Sequence, residues 1–545
     1  MYRHLAGVVT AAIFSLTPSF AQPVISSQSP IASSASFRTP GLPGSGIAQG
    51  SIFSIFGTGL GPDTWVQAGT FPLTTSLGGS SVSVTVGGAT VPAIILFAYS
   101  TQINAIMPSS TPVGAGTVTV SYNDQTSAAA PVQVVASAFA PFTYNQMGYG
   151  QAIATDTNYV KNTIIHAFHP GDYVLLWGTG LGAISGSDAE APPVGNLSVP
   201  ITVHVGNATA ATSYQGRAPC CAGLDQIVFQ VPAGVTGCYV PVGVETGGVV
   251  GSITTIAVAS SGQTCNDSVL GQDLVSQLAA GQKVQFAYAR LESLLAQIGY
   301  GNYVKEDFGL ASFSEIDPEA AGLAEYGVSN GYCITTDTSP WINVSLADFS
   351  PAQLDAGAVS LTGQITVPLT QYYPAGIYES QLTNGNATFL WGSNNFTLAG
   401  SGGANVGSFS ITELTSTGTI KFSNITYNQQ LPRSSDLVIQ WTGGNSALQN
   451  GQVTIGGYSA TTSDFSQSAF FQCTAPFSAG QFTIPKWVLS SLPPSGTATN
   501  TSGYSYALGW MWVGQYNKPT TFNATGLSRG ILTDVFYNSD GVYFQ

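Results

Sequence analysis

GSIFSIFGTGLGP at residues 50–62 is matched position by position by GDYVLLWGTGLGA at residues 171–183. Two further pairs of segments follow in the same order: VSVTVGGAT (82–90) with ITVHVGNAT (201–209), and TQINAIMP (101–108) with DQIVFQVP (225–232). Matching segments in a constant order indicate that one domain of about 90 residues is duplicated in the chain.

Each repeat contains short runs with the alternation of a β-strand. Val82, Val84 and Val86 point to one side of such a strand, whereas Ser83 and Thr85 point to the other. Strand-like runs recur at short intervals with Gly or Pro between them, which is typical of a β-sandwich. The sequence therefore predicts an all-β fold, with two tandem Ig-like β-sandwiches followed by a short helix and a C-terminal β-sandwich.

The repeated GTGLG follows the first core strand of each unit. Glycine allows positive φ angles and close backbone approach, so these residues predict a turn that ends the strand. A phosphate-binding loop is the alternative. That loop requires a following helix or a GK[ST] ending, and neither follows GTGLG in this sequence.

The paired units resemble the Ig-like IPT/TIG fold and, more closely, a family of uncharacterised secreted proteins from Acidobacteria of the Solibacter type. The resemblance covers residues 40–262 and is carried by PGSGIAQGSIFSIFGTGLGP, TTSLGGSSVSVTVGGATVPA, TQINAIMP, HPGDYVLLWGTGLG, CCAGLDQIVFQVP and GCYVPV. It implies the fold alone, because that family has no assigned activity to carry over.

Composition excludes one class of partner. The chain has 12 Lys and Arg against 26 Asp and Glu, which gives a formal net charge of −14. Without a basic cluster it would be repelled by phosphate backbones, so we exclude a DNA or RNA partner. Only 7% of the residues are charged, but 44% are hydrophobic, which is enough to build cores in several domains.

The N-terminus has the pattern of a secretory signal peptide. Arg3 and His4 precede the apolar stretch LAGVVTAAIFSL, and the small residues Ser19 and Ala21 predict cleavage after Ala21. No later stretch provides the roughly eighteen apolar residues that a membrane-spanning helix requires. We therefore expect an exported protein, secreted or at the cell surface, with no transmembrane segment.

These features predict a series of consecutive segments. They are a signal peptide (1–21), a flexible leader (22–45), the first sandwich (46–138), a connector (139–170), the second sandwich (171–262), a helix plus β-hairpin connection (263–340) and the C-terminal sandwich (341–545). Within the last of these, the run LPRSSDLVIQWTGG predicts a sandwich strand that buries Trp441.

The segment after the repeats changes to helical periodicity. Four apolar residues fall at helical spacing: Leu270, Leu274, Val275 and Leu278. They predict a short helix that is capped by Asn266 or Asp267 and ends at Gly281. Alternation after the glycine predicts a strand that pairs with residues 308–317. The alternative is one long helix that continues to Ile298.

Six cysteines in an exported chain predict disulfides rather than a metal site, because no C-x-x-C spacing occurs. They are Cys220, Cys221, Cys238, Cys265, Cys333 and Cys473. We do not expect Cys220 to bond Cys221, because the ring that this bond closes is strained. Two pairings are then left open, in which one of these two bonds Cys238 and the other bonds Cys265. In both, Cys333 bonds Cys473.

Candidates for catalysis or metal binding are few. His166 and His169 lie in HAFH without further ligands nearby, and His204 is predicted to face solvent from the strand ITVHV. No G-x-S-x-G motif is present, and the cysteines are assigned to disulfides. Acidic residues between 306 and 325 are interpreted as a solvated loop, since no spacing singles out a catalytic pair. We predict no catalytic residue, no cofactor and no metal site.

One aromatic segment is less ordinary, YSYALGWMWVGQY at residues 504–516. In a continuous strand its aromatic residues share one face: Tyr504, Tyr506, Trp510, Trp512 and Tyr516. Such a row fits a platform for sugar rings, whose C–H faces pack on aromatic faces. The preferred interpretation is burial in the core, because most aromatic side chains are buried.

The sequence favours a non-enzymatic protein for extracellular interaction or structure, whose partner is an extracellular protein or a glycan. The alternative is a secreted carbohydrate-binding or carbohydrate-active protein with its site in the C-terminal domain. A third hypothesis is an assembly subunit such as a surface-layer or adhesin component.

Overall fold

The computed structural model describes residues 22–27, 31–299, 302–320, 328–337, 352–363, 365–372, 376–382, 395–414, 419–445, 451–501 and 503–545. The predicted signal peptide at 1–21 lies outside these residues. The fold is almost entirely β-structure and contains two tandem Ig-like sandwiches, as the sequence predicts. None of the helices in the described part of the chain is long and apolar enough to cross a bilayer.

The first sandwich is built from two facing sheets. Its strands are β1 (Val24–Ile25), β2 (Ile31–Ser33), β3 (Ile47–Ala48), β4 (Ile52–Thr58), β5 (Val66–Gln67), β6 (Ser76–Leu77), β7 (Ser80–Val86), β8 (Ala89–Pro92), β9 (Ile94–Ala98), β10 (Gln102–Ile106), β11 (Gly114–Tyr122), β12 (Gln125–Thr126) and β13 (Ala130–Val135). One sheet has the order β1-β4-β10-β9-β5 and the other β3-β13-β11-β7-β6. Val82, Val84 and Val86 are buried between them, which confirms the predicted alternation.

The second sandwich repeats this arrangement. Its strands are β14 (Ala140–Pro141), β15 (Gly150–Gln151), β16 (Ala154–Thr155), β17 (Tyr173–Thr179), β18 (Ile201–Val205), β19 (Ala208–Ala210), β20 (Thr212–Arg217), β21 (Asp225–Gln230), β22 (Gly237–Thr246) and β23 (Val249–Val258). The sheets have the orders β14-β17-β21-β20 and β15-β23-β22-β18-β19. GTGLG forms a turn after β4 and again after β17, with positive φ at Gly59 and Gly180.

Both repeats begin earlier than the sequence predicts. β1 and β2 pair with β4, and β14 and β16 pair with β17 at equivalent positions. The residues before each GTGLG strand, 22–45 and 139–170, therefore supply the first strands of the two units. The leader is also not a flexible tether, because Arg38 forms an ion pair with Asp337 and Leu42 packs in the C-terminal core. Such short edge strands leave no clear alternation in the sequence.

A buried ion pair of the second sandwich contacts the first sandwich. Arg217 and Asp225 are 1% and 0% exposed and bond each other, and Arg217 also donates to the carbonyls of Gly50 and Gly182 at 3.0 and 2.6 Å. Gly50 belongs to the first repeat and Gly182 to the second. Arg217 therefore links the second sandwich to the first through the Gly50 carbonyl, and removing either charge of the pair would leave its partner buried and unpaired.

Three disulfides form among the described residues: Cys220–Cys221, Cys238–Cys265 and Cys333–Cys473. The third confirms the predicted pair, but the predicted pairing of the first four cysteines is wrong. Cys238 and Cys265 both pack beside the helix that follows the repeats, with Cα atoms 5.4 Å apart. Cys220 and Cys221 instead lie in the loop between β20 and β21, whose Ala222 packs against the first sandwich. The two sites are therefore separate.

A short helix and a long hairpin follow the repeats. They are α1 (Gln272–Ala279), β24 (Val284–Gly299) and β25 (Asn302–Ile316). The carboxylate of Asp267 accepts the N–H groups of Val269 and Leu270, although the N-cap itself is Gly271. The predicted strand is confirmed over Val284–Gly299, so the alternative of one long helix is wrong. The helix-friendly leucines of this segment alternate between the two faces of the hairpin.

The C-terminal half adds twenty strands and one short helix in the described residues. They are β26 (Cys333–Asp337), β27 (Ala352–Gln353), β28 (Val359–Thr362), β29 (Thr366–Pro368), β30 (Thr370–Tyr372), β31 (Ile377–Gln381), β32 (Asn395–Gly400), β33 (Phe409–Leu414), β34 (Ile420–Phe422), β35 (Gln430–Leu431), β36 (Leu437–Gly443), β37 (Gln452–Ala460), β38 (Ser468–Pro476), β39 (Gln481–Ile484), α2 (Lys486–Leu489), β40 (Thr497–Thr499), β41 (Ser505–Ala507), β42 (Gly509–Tyr516), β43 (Thr520–Phe522), β44 (Arg529–Gly541) and β45 (Tyr543–Phe544). Two 3-10 turns complete them, Pro318–Ala320 and Phe477–Ala479.

One large sheet dominates this half, with the order β26-β38-β37-β42-β44-β24-β25-β31-β30. The hairpin of β24 and β25 lies inside this sheet, so it is part of the C-terminal domain and not a connection to it. One side of the sheet, here called the inner face, packs against two smaller sheets, β34-β36-β39 and β29-β28-β32-β33. Trp441 is 5% exposed in the core beneath it, as predicted. The opposite side is called the outer face.

Candidate functional site

The strand β42 separates its residues between the two faces of the large sheet. Met511 and Val513 are 0% exposed in the core, whereas Trp510, Trp512 and Tyr516 are partly exposed on the outer face. The preferred prediction, that the aromatic row is buried in the core, is therefore wrong for this strand. Ser505, Ala507 and Gly509 alternate with the aromatic residues, and such small or polar residues are typical of a solvent-facing side. Met511 and Val513 follow on that side, and they fill the core.

The aromatic segment is not one continuous strand. β41 pairs with β40 in a separate two-stranded ladder, and Leu508 is buried between β41 and β42. Tyr506 is therefore on a different ladder from the tryptophans. Tyr504 is 39% exposed, and its hydroxyl lies 3.3 Å from that of Tyr427. The five predicted residues thus divide into three on the outer face of the large sheet and two beside it.

Glycines on neighbouring strands make room for the large rings. Gly456 lies directly opposite Trp512, and a Cβ atom at Gly456 would be 2.1 Å from the indole. A Cβ at Gly514 would be 2.5 Å from the ring of Tyr537. A side chain at either glycine would displace the ring that faces it. Because glycine has no Cβ atom, the rings of Trp512 and Tyr537 can lie across the neighbouring strands.

Aromatic residues from distant segments extend the row. Tyr458 on β37 lies opposite Trp510, with ring centroids 5.8 Å apart, and Phe465 follows at 6.2 Å from Tyr458. Phe465 is 44% exposed. The sequence analysis did not identify either residue. The alternating pattern of β37 is interrupted by Gly456 and Gly457, so the strand is hard to recognise from the sequence. Together these rings form a partly exposed aromatic strip along the outer face.

A polar group continues the outer face beyond the strip. Arg290 Nη2 lies 2.6 Å from Glu292 Oε1, with side chains 29% and 26% exposed. The hydroxyls of Tyr288 and Tyr537 are protonated at neutral pH, and burial raises their pKa further. Burial is the largest single influence and would lower the pKa of Arg290, but Glu292 together with Tyr537, Tyr516 and Tyr288 outweighs it, so the pKa is raised. These groups are fixed hydrogen-bond donors and acceptors beside flat aromatic rings.

Two histidines are held by contacts within the fold, and His166 is exposed. His169 Nε2 lies 2.6 Å from the carbonyl of Gly262 and its Nδ1 lies 3.2 Å from Asp172. His204 does not face solvent as predicted: its ring stacks on Trp487 at 4.9 Å and its Nε2 lies 3.1 Å from Glu245. The strand ITVHV faces the C-terminal domain on that side. Among the described residues no group of three or more His, Cys, Asp or Glu side chains could hold a metal ion.

The predicted solvated loop of acidic residues is largely the strand β25. Asp307 is 0% exposed and accepts a hydrogen bond from Ser293 at 2.7 Å, and Glu315 pairs with Lys283. Successive side chains of a strand point to opposite faces, so some of these carboxylates are buried. In a solvated loop they would have remained exposed. Glu325 lies outside the described residues.

One carboxyl group is buried away from the outer face. Glu413 is 8% exposed and accepts a hydrogen bond from Thr520 at 3.0 Å, while its Oε2 has no hydrogen-bond partner among the described residues. Burial, opposed by that hydrogen bond and aided by the charge of Asp534, raises the pKa of Glu413 to about 7. It lies in the seam between β33 and β43, where it affects stability.

No protein-family model and no curated protein matches the sequence. Among solved structures, domains 4–9 of the surface layer protein SbsC are similar at 9% identity over 96% of this chain and 84% of that one, with a TM-score of 0.15. Titin domains A168–A170 are similar at 8% identity over 66% and 89%, with a TM-score of 0.13. The four N-terminal Ig domains of Dscam1 isoform 6.9 are similar at 7% identity over 72% of this chain and 99% of that one, with a TM-score of 0.14. Such TM-scores support no functional conclusion for this chain.

Proposed function

We propose that this chain is an exported, non-enzymatic binding protein whose C-terminal sheet binds a glycan through its outer face. One observation supports the proposal above the others: Trp510 and Trp512 lie on the outer face, while Met511 and Val513 of the same strand fill the core. Sugar rings pack their C–H faces on aromatic rings, and protonated tyrosines with an arginine–glutamate pair supply hydrogen bonds to hydroxyl groups.

Other parts of the proposal rest on the sequence. The signal-peptide pattern ending at Ala21 and the cysteines favour export, since disulfides persist in oxidising compartments. Membership of residues 40–262 in the secreted acidobacterial family is part of the same proposal. The two Ig-like sandwiches would then serve as a support for the binding sheet, since Val250 of the second sandwich packs in the C-terminal core.

The test is retention of the purified full-length chain on insoluble polysaccharides. The full chain is needed because Leu42 of the leader and Val250 of the second sandwich belong to the C-terminal core. The test variant is Trp510→Ala with Trp512→Ala. Trp65→Ala is the matched control, since Trp65 is 60% exposed on the first sandwich. Melting temperatures show that all variants are folded.

We expect retention by the wild type and by Trp65→Ala, and loss of retention by the double variant. No retention on any polysaccharide would contradict the glycan proposal and leave a protein partner as the occupant of this face. Release of new reducing ends during incubation would contradict the non-enzymatic part and favour the carbohydrate-active alternative.

A further inference from the structure

The outer face carries a feature that folding alone does not require, the pair of Arg290 and Glu292. Both side chains keep more than a quarter of their surface exposed, and exposed ion pairs contribute about 1 kcal/mol or less to stability. They lie among the hydroxyls of Tyr288, Tyr516 and Tyr537, which interact with the pair electrostatically. The group is a patch of donors and acceptors beside the aromatic strip of the outer face.

Strand register connects this patch to the aromatic strip. Trp512 lies opposite Ser539, and Tyr537 is two residues before it on β44; Tyr537 lies beside Leu294, and Glu292 is two residues before that on β24. Each step moves one strand sideways, about 4.8 Å, and two residues along, about 6.7 Å, so it covers about 8 Å. Trp512, Tyr537 and Glu292 therefore lie on a diagonal line across three strands, and Arg290 lies two residues farther along β24, where the line bends to follow that strand.

The charges along this line limit the ligand. Arg290 and Glu292 cancel each other, and the protonated tyrosines add no charge. The whole chain has a formal charge of −14, which repels polyanions at low ionic strength. A sugar hydroxyl can accept from the guanidinium and donate to the carboxylate at once, whereas a sugar carboxylate has no proton to donate and its attraction to Arg290 is offset by Glu292.

We propose that the ligand is a neutral polysaccharide whose extended chain follows the line from Trp512 across Tyr537 to Arg290, and that the Arg290–Glu292 pair selects it over acidic polysaccharides. This inference rests on the glycan-binding function proposed above. The aromatic rings supply stacking that is tolerant of sugar identity. The ion pair supplies the hydrogen bonds that discriminate, because hydrogen bonds to charged groups are the stronger ones.

The experiment compares retention of the full chain on cellulose, chitin and mannan with retention on polygalacturonate at low salt. Two variants test the pair separately. Arg290→Met removes the donors, and we expect about tenfold weaker binding to the neutral polymer, the cost of one hydrogen bond to a charged group. Glu292→Gln leaves the arginine charge uncompensated, and we expect retention on polygalacturonate to rise. Lys421→Met, which removes an exposed charge from β34, is the control.

The outcomes separate the inference from the function beneath it. Stronger retention of the wild type on polygalacturonate than on the neutral polymers would overturn the neutral class while supporting glycan binding. Unchanged affinity of a folded Arg290→Met variant would overturn the role of the pair. Retention on none of the polymers would contradict the proposed function itself.

Discussion

The inner and outer faces of the large sheet use the same strand in opposite ways. On the inner face of β42, Met511 and Val513 are completely buried against the smaller sheets. On the outer face Trp510 and Trp512 remain partly exposed, and Trp512 lies across a glycine of the neighbouring strand. Ring size does not decide which face is the core. At β42 the core is the face that a second layer covers, and the tryptophans are on the other one; farther along the outer face, α1 covers Phe286 and Ile531.

Two arginine–carboxylate pairs show the same contrast. Arg217 and Asp225 are buried where the two sandwiches meet, while Arg290 and Glu292 lie on the outer face with a quarter or more of each side chain exposed. Arg217 of the buried pair donates across to Gly50 of the first sandwich, while Arg290 and Glu292 keep a part of their surface to which a ligand has access. The same chemistry therefore serves folding at one place and, in our proposal, recognition at the other.

The largest expected effect is at the buried pair. Arg217→Met leaves the charge of Asp225 buried without its partner, and we expect a loss of about 3–5 kcal/mol in the free energy of unfolding. Arg290→Met, at the partly exposed pair, should cost clearly less than Arg217→Met, because both side chains of that pair keep contact with water. Denaturant unfolding of both variants measures the difference. Equal losses would show that the two pairs do not differ in the way described.

The second prediction concerns the two faces of β42. Met511→Ala should destabilise the protein by about 2–5 kcal/mol, because it opens a cavity in a packed core. Trp512→Ala should cost less than Met511→Ala, although it removes the larger side chain. Unfolding midpoints and slopes in the same denaturant give both values. A greater loss for Trp512→Ala would place the indole in the core and remove the basis for a binding face.

The third prediction sharpens the account of the inner side. The pKa of Glu413 is raised to about 7 by burial, from an ordinary value of 4.5. The folded state then binds the proton more tightly than the unfolded state. The stabilisation that protonated Glu413 gives to the folded state is therefore fully present below about pH 4.5 and is lost as the pH rises to about 7. The difference corresponds to a loss on the order of 3 kcal/mol.

Glu413→Gln keeps an acceptor for Thr520 but has no proton to lose. Its stability relative to wild type should therefore rise between about pH 4.5 and 7, as measured by denaturant unfolding at a series of pH values. Parallel stability curves for the two proteins would mean that Glu413 is not held in its protonated form by the fold.

Local sequence patterns were enough to predict the strands themselves, but not the contacts between segments that are distant in the sequence. The alternation of Val82, Val84 and Val86 and the repeated GTGLG were sufficient for two sandwiches, because a half-buried strand and a glycine turn are encoded within a few residues. The leader was misjudged because its short strands exist only through pairing with β4. Ring strain argues against a bond between Cys220 and Cys221. Their loop, however, lies apart from Cys238 and Cys265, and this separation, which the sequence does not reveal, excludes the pairings that we predict.

The candidate site depended on information that no single segment contains. The aromatic row of β42 was visible in the sequence, but its orientation is set by the smaller sheets that cover Met511 and Val513. Tyr458 and Arg290 join the row from strands that are far away in sequence and become neighbours only through sheet order. A strand's periodicity divides its residues into two faces without saying which one is covered.

Oxidative footprinting of the full-length chain, with and without an insoluble neutral polysaccharide, tests the central claim most directly. Hydroxyl-radical modification reports the accessibility of each aromatic ring separately in the folded protein. We predict that bound polysaccharide protects Trp510, Trp512 and Tyr537, while Trp65 on the first sandwich is modified at the same rate in both samples. Retention of the protein on the polymer with unchanged modification of Trp510 and Trp512 would contradict the account.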